Sequence, residues 1–281
     1  MDNRIKVIYK ENGGVTSARL LGLSMSTGEW IGFVDGDDYI ESGMYQQLLK
    51  NAIDYDADIS HCGYRRRFPN GREECYYGTG KVMEQNNITG LKDLLDGKMI
   101  EPGLCNKLFR RKLFESLVQE NLMDLSIKNN EDLLMNYYLF KEATKSIYED
   151  VCPYHYLLRT NSASTSKINE NILKDPIKVL KIMLDDVENT DLRTILESRL
   201  IHRMISNATQ SSQGQPAFVK DFQNEMYYEL RKNVRKMLVN NRMNVKLKVM
   251  ALWATVWPTS YGWVHQSYVK ITKLDEKYKV E

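Results

Sequence analysis

Residues 31–40 read I-G-F-V-D-G-D-D-Y-I, and no other stretch constrains the fold as strongly. An apolar run of strand character stops abruptly at Asp35-Gly36-Asp37-Asp38. Open α/β sheets bind ligands at the carboxyl ends of their strands, so a carboxylate cluster there marks a candidate site. Carboxylates this close repel one another unless a cation or donor groups offset them. An oxygen-only donor set suits Mg²⁺ or Mn²⁺, ions that bridge phosphates. The same tetrapeptide also reads as a solvated acidic turn that caps a strand.

The flanking pattern alternates. Residues 4–9 (R-I-K-V-I-Y) read as a short strand, broken by E-N-G-G at 11–14. Thr16 or Ser17 can cap a helix that runs to Ser26 and stops at Gly28. Residues 30–34 lack polar alternation, as expected of a parallel strand covered on both faces. Ser42 is placed to cap a helix with Met44, Leu48, Leu49, Ala52 and Ile53 on its buried face. Residues 58–64 form the next strand, and this alternation predicts a parallel sheet. A polar hairpin over 68–80 turns at Asn70-Gly71. Short helices follow at 89–95 and 111–117, a strong helix at 131–141 and a strand at 146–158. Thereafter the pattern is helical. Pro176 suits a first helical turn, and Leu192, Ile195, Leu196, Leu200 and Met204 form an amphipathic stripe. Residues 211–216 read as a linker before a helix over 218–239. The expected division is an α/β domain, 1–167, and a helical region, 168–281.

Charge narrows the partners. The 281 residues carry 39 Lys or Arg against 37 Asp or Glu, a formal net charge of +2. The basic run Arg65-Arg66-Arg67 is too short for a polyanion surface, so no nucleic-acid partner is expected. Cys62, Cys75, Cys105 and Cys152 are scattered without a C-x-x-C pair, which fits a reduced, cytoplasmic protein. The charged N-terminus does not read as a signal peptide, and no run of ~20 apolar residues is long enough to span a bilayer. Residues 249–264 hold Trp253, Trp257, Tyr261 and Trp263, interrupted by Pro258 and flanked by Lys246, Lys248 and Lys270. The expected use of these aromatics is packing onto the protein body. The alternative is peripheral membrane contact at the inner face of the plasma membrane.

Five motifs in order, I-K-V-I-Y-K-E-N-G-G-V-T-S-A-R (5–19), G-E-W-I-G-F-V-D-G-D-D-Y-I (28–40), C-N-K-L-F-R-R-K-L-F (105–114), N-E-D-L-L-M-N (130–136) and Y-H-Y-L-L-R-T-N-S-A-S (154–164), carry a family resemblance. The chain resembles the inverting family 2 glycosyltransferases of GT-A fold that build bacterial surface polysaccharides. That resemblance implies a Rossmann-like, mostly parallel sheet followed by a helical C-terminal region. It also places the family's first strand, helix and second strand, which end in an acidic V-D-D-G-S-like motif, ahead of residue 1. The sheet is then expected to expose strand edges and half of the nucleotide pocket to be absent, so that the chain alone turns over poorly. Leu20 stands where the family usually has Asn.

The resemblance also assigns roles. Asp35 and Asp37 become the D-x-D pair flanking Gly36, with Asp37 on the metal and Asp35 toward the ribose. The metal would act as a Lewis acid on the departing nucleotide diphosphate. Asn12 and Gly13 allow close backbone approach to the nucleotide, and Arg19 reaches its base. Arg159, with Ser162 and Ser164, would bind the diphosphate. Asp132 of the Glu131-Asp132 pair would be the base, kept ionised by the dipole of the helix it opens. Locally, the same acids read as a plain helix start. Lys107 falls near the acceptor side. The implied partners are a nucleotide-sugar donor and a glycan or lipid-linked acceptor. Two other readings compete. An Asp-x-Asp phosphatase is disfavoured by Asp38, where a small residue is expected, and a non-catalytic accessory subunit is the second.

Overall fold

The computed structural model describes residues 2–97, 100–158, 168–209 and 215–272. Its strands are β1 (Trp30–Gly32), β2 (Tyr39–Ile40), β3 (Ile59–Arg67), β4 (Glu73–Cys75), β5 (Val82–Asn86), β6 (Lys107–Arg110) and β7 (Lys145–Leu157). They form one sheet in the order β1-β6-β3-β7-β2, with β4 beside β3 and β5 beside β7. The helices are α1 (Val15–Met25), α2 (Met44–Asp54), α3 (Asn87–Asp96), α4 (Glu115–Gln119) and α5 (Glu131–Glu142), then α6 (Glu170–Asp186), α7 (Thr190–Thr209), α8 (Ala217–Lys232), α9 (Val234–Val239), α10 (Val245–Val256) and α11 (Pro258–Thr272). The expected α/β architecture with a helical C-terminal region is what forms. The chain divides into two compact units. One comprises Met1–Arg65, Cys75–Gly90 and Met99–His155, and the other Arg66–Glu74, Leu91–Lys98 and Tyr156–Glu281.

In the first unit, Ile59, Phe109, Leu134 and Ile147 are fully buried. Helix α5 is buried along most of its length, from Leu133 to Phe140, because apolar residues surround it rather than lining one stripe. The start of β3 is pinned by Asp58, whose buried carboxylate meets Lys112 at 2.8 Å, Arg110 at 3.2 Å and the Thr144 N–H at 3.0 Å. Burial opposes ionisation there, but these partners outweigh it and hold Asp58 below its ordinary value. In the second unit, α6, α7, α8 and α10 bury Ile177, Ile201, Met204, Phe222 and Met226 in one apolar cluster.

Several local expectations are corrected. Residues 4–9 form no strand, and Ile5, Val7 and Tyr9 are exposed. Among the described residues no strand lies beside them to take up their backbone groups. Strand β1 pairs antiparallel with β6, Ile31 opposite Phe109, and it is not covered on both faces, since Ile31 is buried whereas Gly32 and Val34 are exposed. The N-cap of α2 is Gly43, without a side-chain bond from Ser42. Ile53 turns to solvent, and Asn51 takes the inward position. Pro176 lies well inside α6, whose cap is Asn169, bonded to the Ile172 N–H. The helix expected over 218–239 breaks at Asn233 into α8 and α9.

Candidate active site

The acidic turn follows β1 and is folded back on itself, the Asp38 N–H donating to the Asp35 carbonyl at 3.1 Å. Strand β7 holds it in place. The register that sets Ile40 opposite Tyr154 brings the Tyr154 hydroxyl to the Asp38 carboxylate, to which it donates at 2.5 Å. That bond engages the Asp38 carboxylate with a side chain of β7. Beside it, Tyr39 stacks on His155 at 4.2 Å, and His155 meets Glu41 at 3.1 Å. Gly36 is open, since a Cβ added there would meet nothing within 4 Å.

Two motifs far apart in sequence meet through Arg19. Helix α1 begins at Gly14, whose φ of 85° favours glycine, and the Asn12 carboxamide accepts the Gly14 N–H at 3.1 Å. One turn on, Arg19 reaches Asp35 Oδ1 at 3.4 Å and Glu131 Oε1 at 3.1 Å. Arg19 and Glu131 are each 12% exposed and Asp35 41%. A guanidinium forks naturally to two carboxylates, and here it ties the acidic turn to the first residue of α5.

Asp132 sits next to that bridge. Its carboxyl is pushed up to about 6, first by burial and then by the charge of Glu131, against the Leu133 N–H, Arg19 and Lys107. Burial therefore works against the helix dipole here, and the carboxyl remains mostly ionised at neutral pH. Beneath it, Lys107 is fully buried, and its ammonium donates to the Glu101 carbonyl at 2.8 Å, the Gly103 carbonyl at 2.5 Å and Asn106 Oδ1 at 2.9 Å. Burial brings Lys107 down to about 8. Asn136, one turn after Asp132 on α5, donates to the carbonyls of Pro102 and Asp132. The segment before β6 is thus clamped from two sides.

Of the predicted site residues, Arg19, Asp35, Glu131 and Asp132 come together, and Gly36 and Asp37 share their turn. Asn12 and Gly13 lie on the exposed approach to α1. Arg159, Ser162 and Ser164 lie outside the described residues. Sequence reading missed Tyr154, Asn136 and Cys105. Cys105 bonds with both Tyr154 and Asp35, and its thiol is pushed up to about 12, chiefly by burial. The spacing of Asn136 from Asp132 was visible as an i, i+4 pair on one helix face.

Among the described residues no group of three or more His, Cys, Asp or Glu is arranged to hold a metal by itself. Mg²⁺ in nucleotide sites uses one or two carboxylates, with phosphates and water completing its shell. Asp35 and Asp37, oxygen donors on one turn, fit that mode.

Residues 1–118 match the family model described as glycosyl transferase family 2. Over those residues the chain is similar to the family 2 glycosyl transferases. Relatives agree. The uncharacterized glycosyltransferase EpsJ of Bacillus subtilis is 35% identical over 165 residues, 57% of this chain and 47% of that protein. Glycosyltransferase GlyA of Streptococcus pneumoniae is 30% identical over 173 residues, 58% of this chain and 24% of that protein. The chain spans about half the length, or less, of these curated relatives. The crystal structure of S. aureus TarS 1-349 in complex with UDP-GlcNAc superposes with a TM-score of 0.67 at 17% identity, over 94% of this chain and 74% of that one. At that identity the likeness is one of fold. The matched residues span β1, its acidic turn, α1, α2 and β6, whereas the Glu131-Asp132 pair lies beyond them.

Proposed function

We propose that this protein is a transferase that moves a sugar from a nucleotide diphosphate-sugar, a UDP-sugar by the family pattern, to a glycan or lipid-linked acceptor with inversion. In this reading it serves bacterial surface polysaccharide synthesis, and residues 1–167 carry the chemistry ahead of a helical region, 168–281. It works in the cytoplasm, at the inner face of the plasma membrane. The observation that carries the proposal is the Arg19 bridge, which sets the D-x-D turn beside the acid pair of α5.

Asp35 and Asp37 hold Mg²⁺ or Mn²⁺, which when bound offsets the charge leaving with the diphosphate. Arg159 and Ser162 add donors to that diphosphate. Asn12 and Gly13 line the nucleotide side. Asp132 takes the proton from the acceptor hydroxyl, and a carboxyl near about 6 is a stronger base than an ordinary aspartate while still mostly ionised at neutral pH. Glu131 raises Asp132 by its own charge and is held in place by Arg19.

The test is transfer of radiolabelled sugar by the purified 281-residue chain with Mn²⁺, compared with Asp132→Asn and Asp37→Asn. Transfer that both substitutions abolish supports the reading. Transfer that survives both overturns the assignment. A chain that lacks turnover but is needed for the activity of a second transferase supports the accessory reading instead.

A further inference from the structure

From Arg231 to Thr272 the chain carries no Asp or Glu and eight Lys or Arg. Outside that stretch the balance reverses, 31 Lys or Arg against 37 Asp or Glu. The stretch forms the end of α8 and helices α9 to α11, all within one compact unit.

Its exposed surface is apolar in a way the charge does not explain. On α10, Ala251, Ala254 and Thr255 pack inward. The opposite stripe, at i, i+4, i+7 and i+11, is Val245, Val249, Leu252 and Val256, with Val245, Val249 and Val256 exposed. The aromatics expected to pack onto the body divide into two pairs. Tyr261 is buried edge-on against Trp253 at 5.5 Å. Trp257 is 67% exposed and Trp263 74%. These two rim a recess of about 390 Å³ lined by Val256, Pro258, Thr259 and Ser260. Lys236, Arg242 and Lys246 are exposed in the same stretch.

We propose that the α10–α11 face docks on an anionic bilayer surface, with Trp257 and Trp263 at the acyl boundary and the basic side chains against lipid phosphates. Helices that lie in an interface combine an apolar stripe, Trp and flanking Lys or Arg, and Trp prefers the headgroup level. Among the described residues no helix is long and apolar enough to cross a membrane, so the contact is lateral. Charge complementarity selects this occupant over a second copy, since two such faces would set cation against cation. The proposal does not depend on the transferase reading.

The test is flotation of the purified 281-residue chain with phosphatidylcholine vesicles, with and without phosphatidylglycerol. Binding is expected to the anionic vesicles alone and to weaken with salt. Trp257→Ser/Trp263→Ser, at exposed positions that leave the fold intact, is expected to weaken binding at least tenfold. Lys236→Glu/Arg242→Glu/Lys246→Glu is expected to weaken it by about fivefold per residue. Asp132→Asn should float like the parent chain, which separates this test from the catalytic one. Equal flotation on neutral vesicles, no flotation at all, or unchanged flotation of the Trp variant overturns the proposal. So does a chain that fails to float but self-associates through Trp257 and Trp263.

Discussion

At the scale of single residues, the proposed role of Asp132 as base predicts a working pH bounded by Asp132 and Lys107. Asp132 must be ionised to accept a proton, so kcat/KM should rise with pH through about 6. Lys107 must remain charged to hold the Glu101 and Gly103 carbonyls, so the profile should fall again through about 8. A bell between those values, measured in a pH series, is the expected outcome. Lys107→Met removes a positive charge that favours ionised Asp132, so the acid limb should move upward and the alkaline limb vanish. A flat profile for the parent chain would refute both assignments. Asp132→Asn should lower kcat by roughly 10²–10⁴, with the melting temperature retained or raised. The sign follows from linkage. A carboxyl raised in the fold contributes stability only at low pH, and that contribution is lost as pH rises through about 6.

At the scale of elements, two anchors carry opposite expectations. Asp58 joins the start of β3 to Arg110, Lys112 and Thr144. Because its pKa is held below the ordinary value, its contribution is present at neutral pH and is lost as the carboxylate protonates in acid. Asp58→Asn should therefore lower the melting temperature at pH 7 and flatten its decline toward pH 3, which calorimetry can follow. Asn136 ties α5 to the segment before β6. Asn136→Ala should cost roughly 1–3 kcal/mol by taking a donor from the part-buried Pro102 carbonyl, and chemical denaturation measures that loss. The same elements show what the sequence made legible. The i, i+4 spacing of α2 and α7 and the apolar run of β7 were readable because burial imposes a period on residues close in the chain. Pairing direction was not readable, because β1 and β6 are brought together by register across many residues and nothing in residues 30–34 names that partner. Residues 4–9 had strand composition, but a strand exists only beside another. Pro176 was misplaced because the cap that fixes α6, Asn169, lies seven residues earlier.

At the scale of the whole molecule, the acid-free stretch from Arg231 to Thr272 and the carboxylate-rich site carry opposite charge. Site composition was legible from motifs, whereas the Arg19 bridge was not, since nothing local pairs residue 19 with residue 131. The proposed role of the Asp35–Asp37 turn predicts a metal requirement. EDTA should abolish transfer, Mn²⁺ should restore it, and Asp37→Asn should not respond to restoration. Transfer undiminished in EDTA would remove the metal from the scheme.

Arg19 has a consequence for how the site loads. A guanidinium keeps its proton at any physiological pH, so Asp35 already has a tenant at 3.4 Å. A divalent ion held by Asp35 would compete with that guanidinium for the carboxylate. Loading would then be a swap of partners, and the freed Arg19 would face the incoming anion.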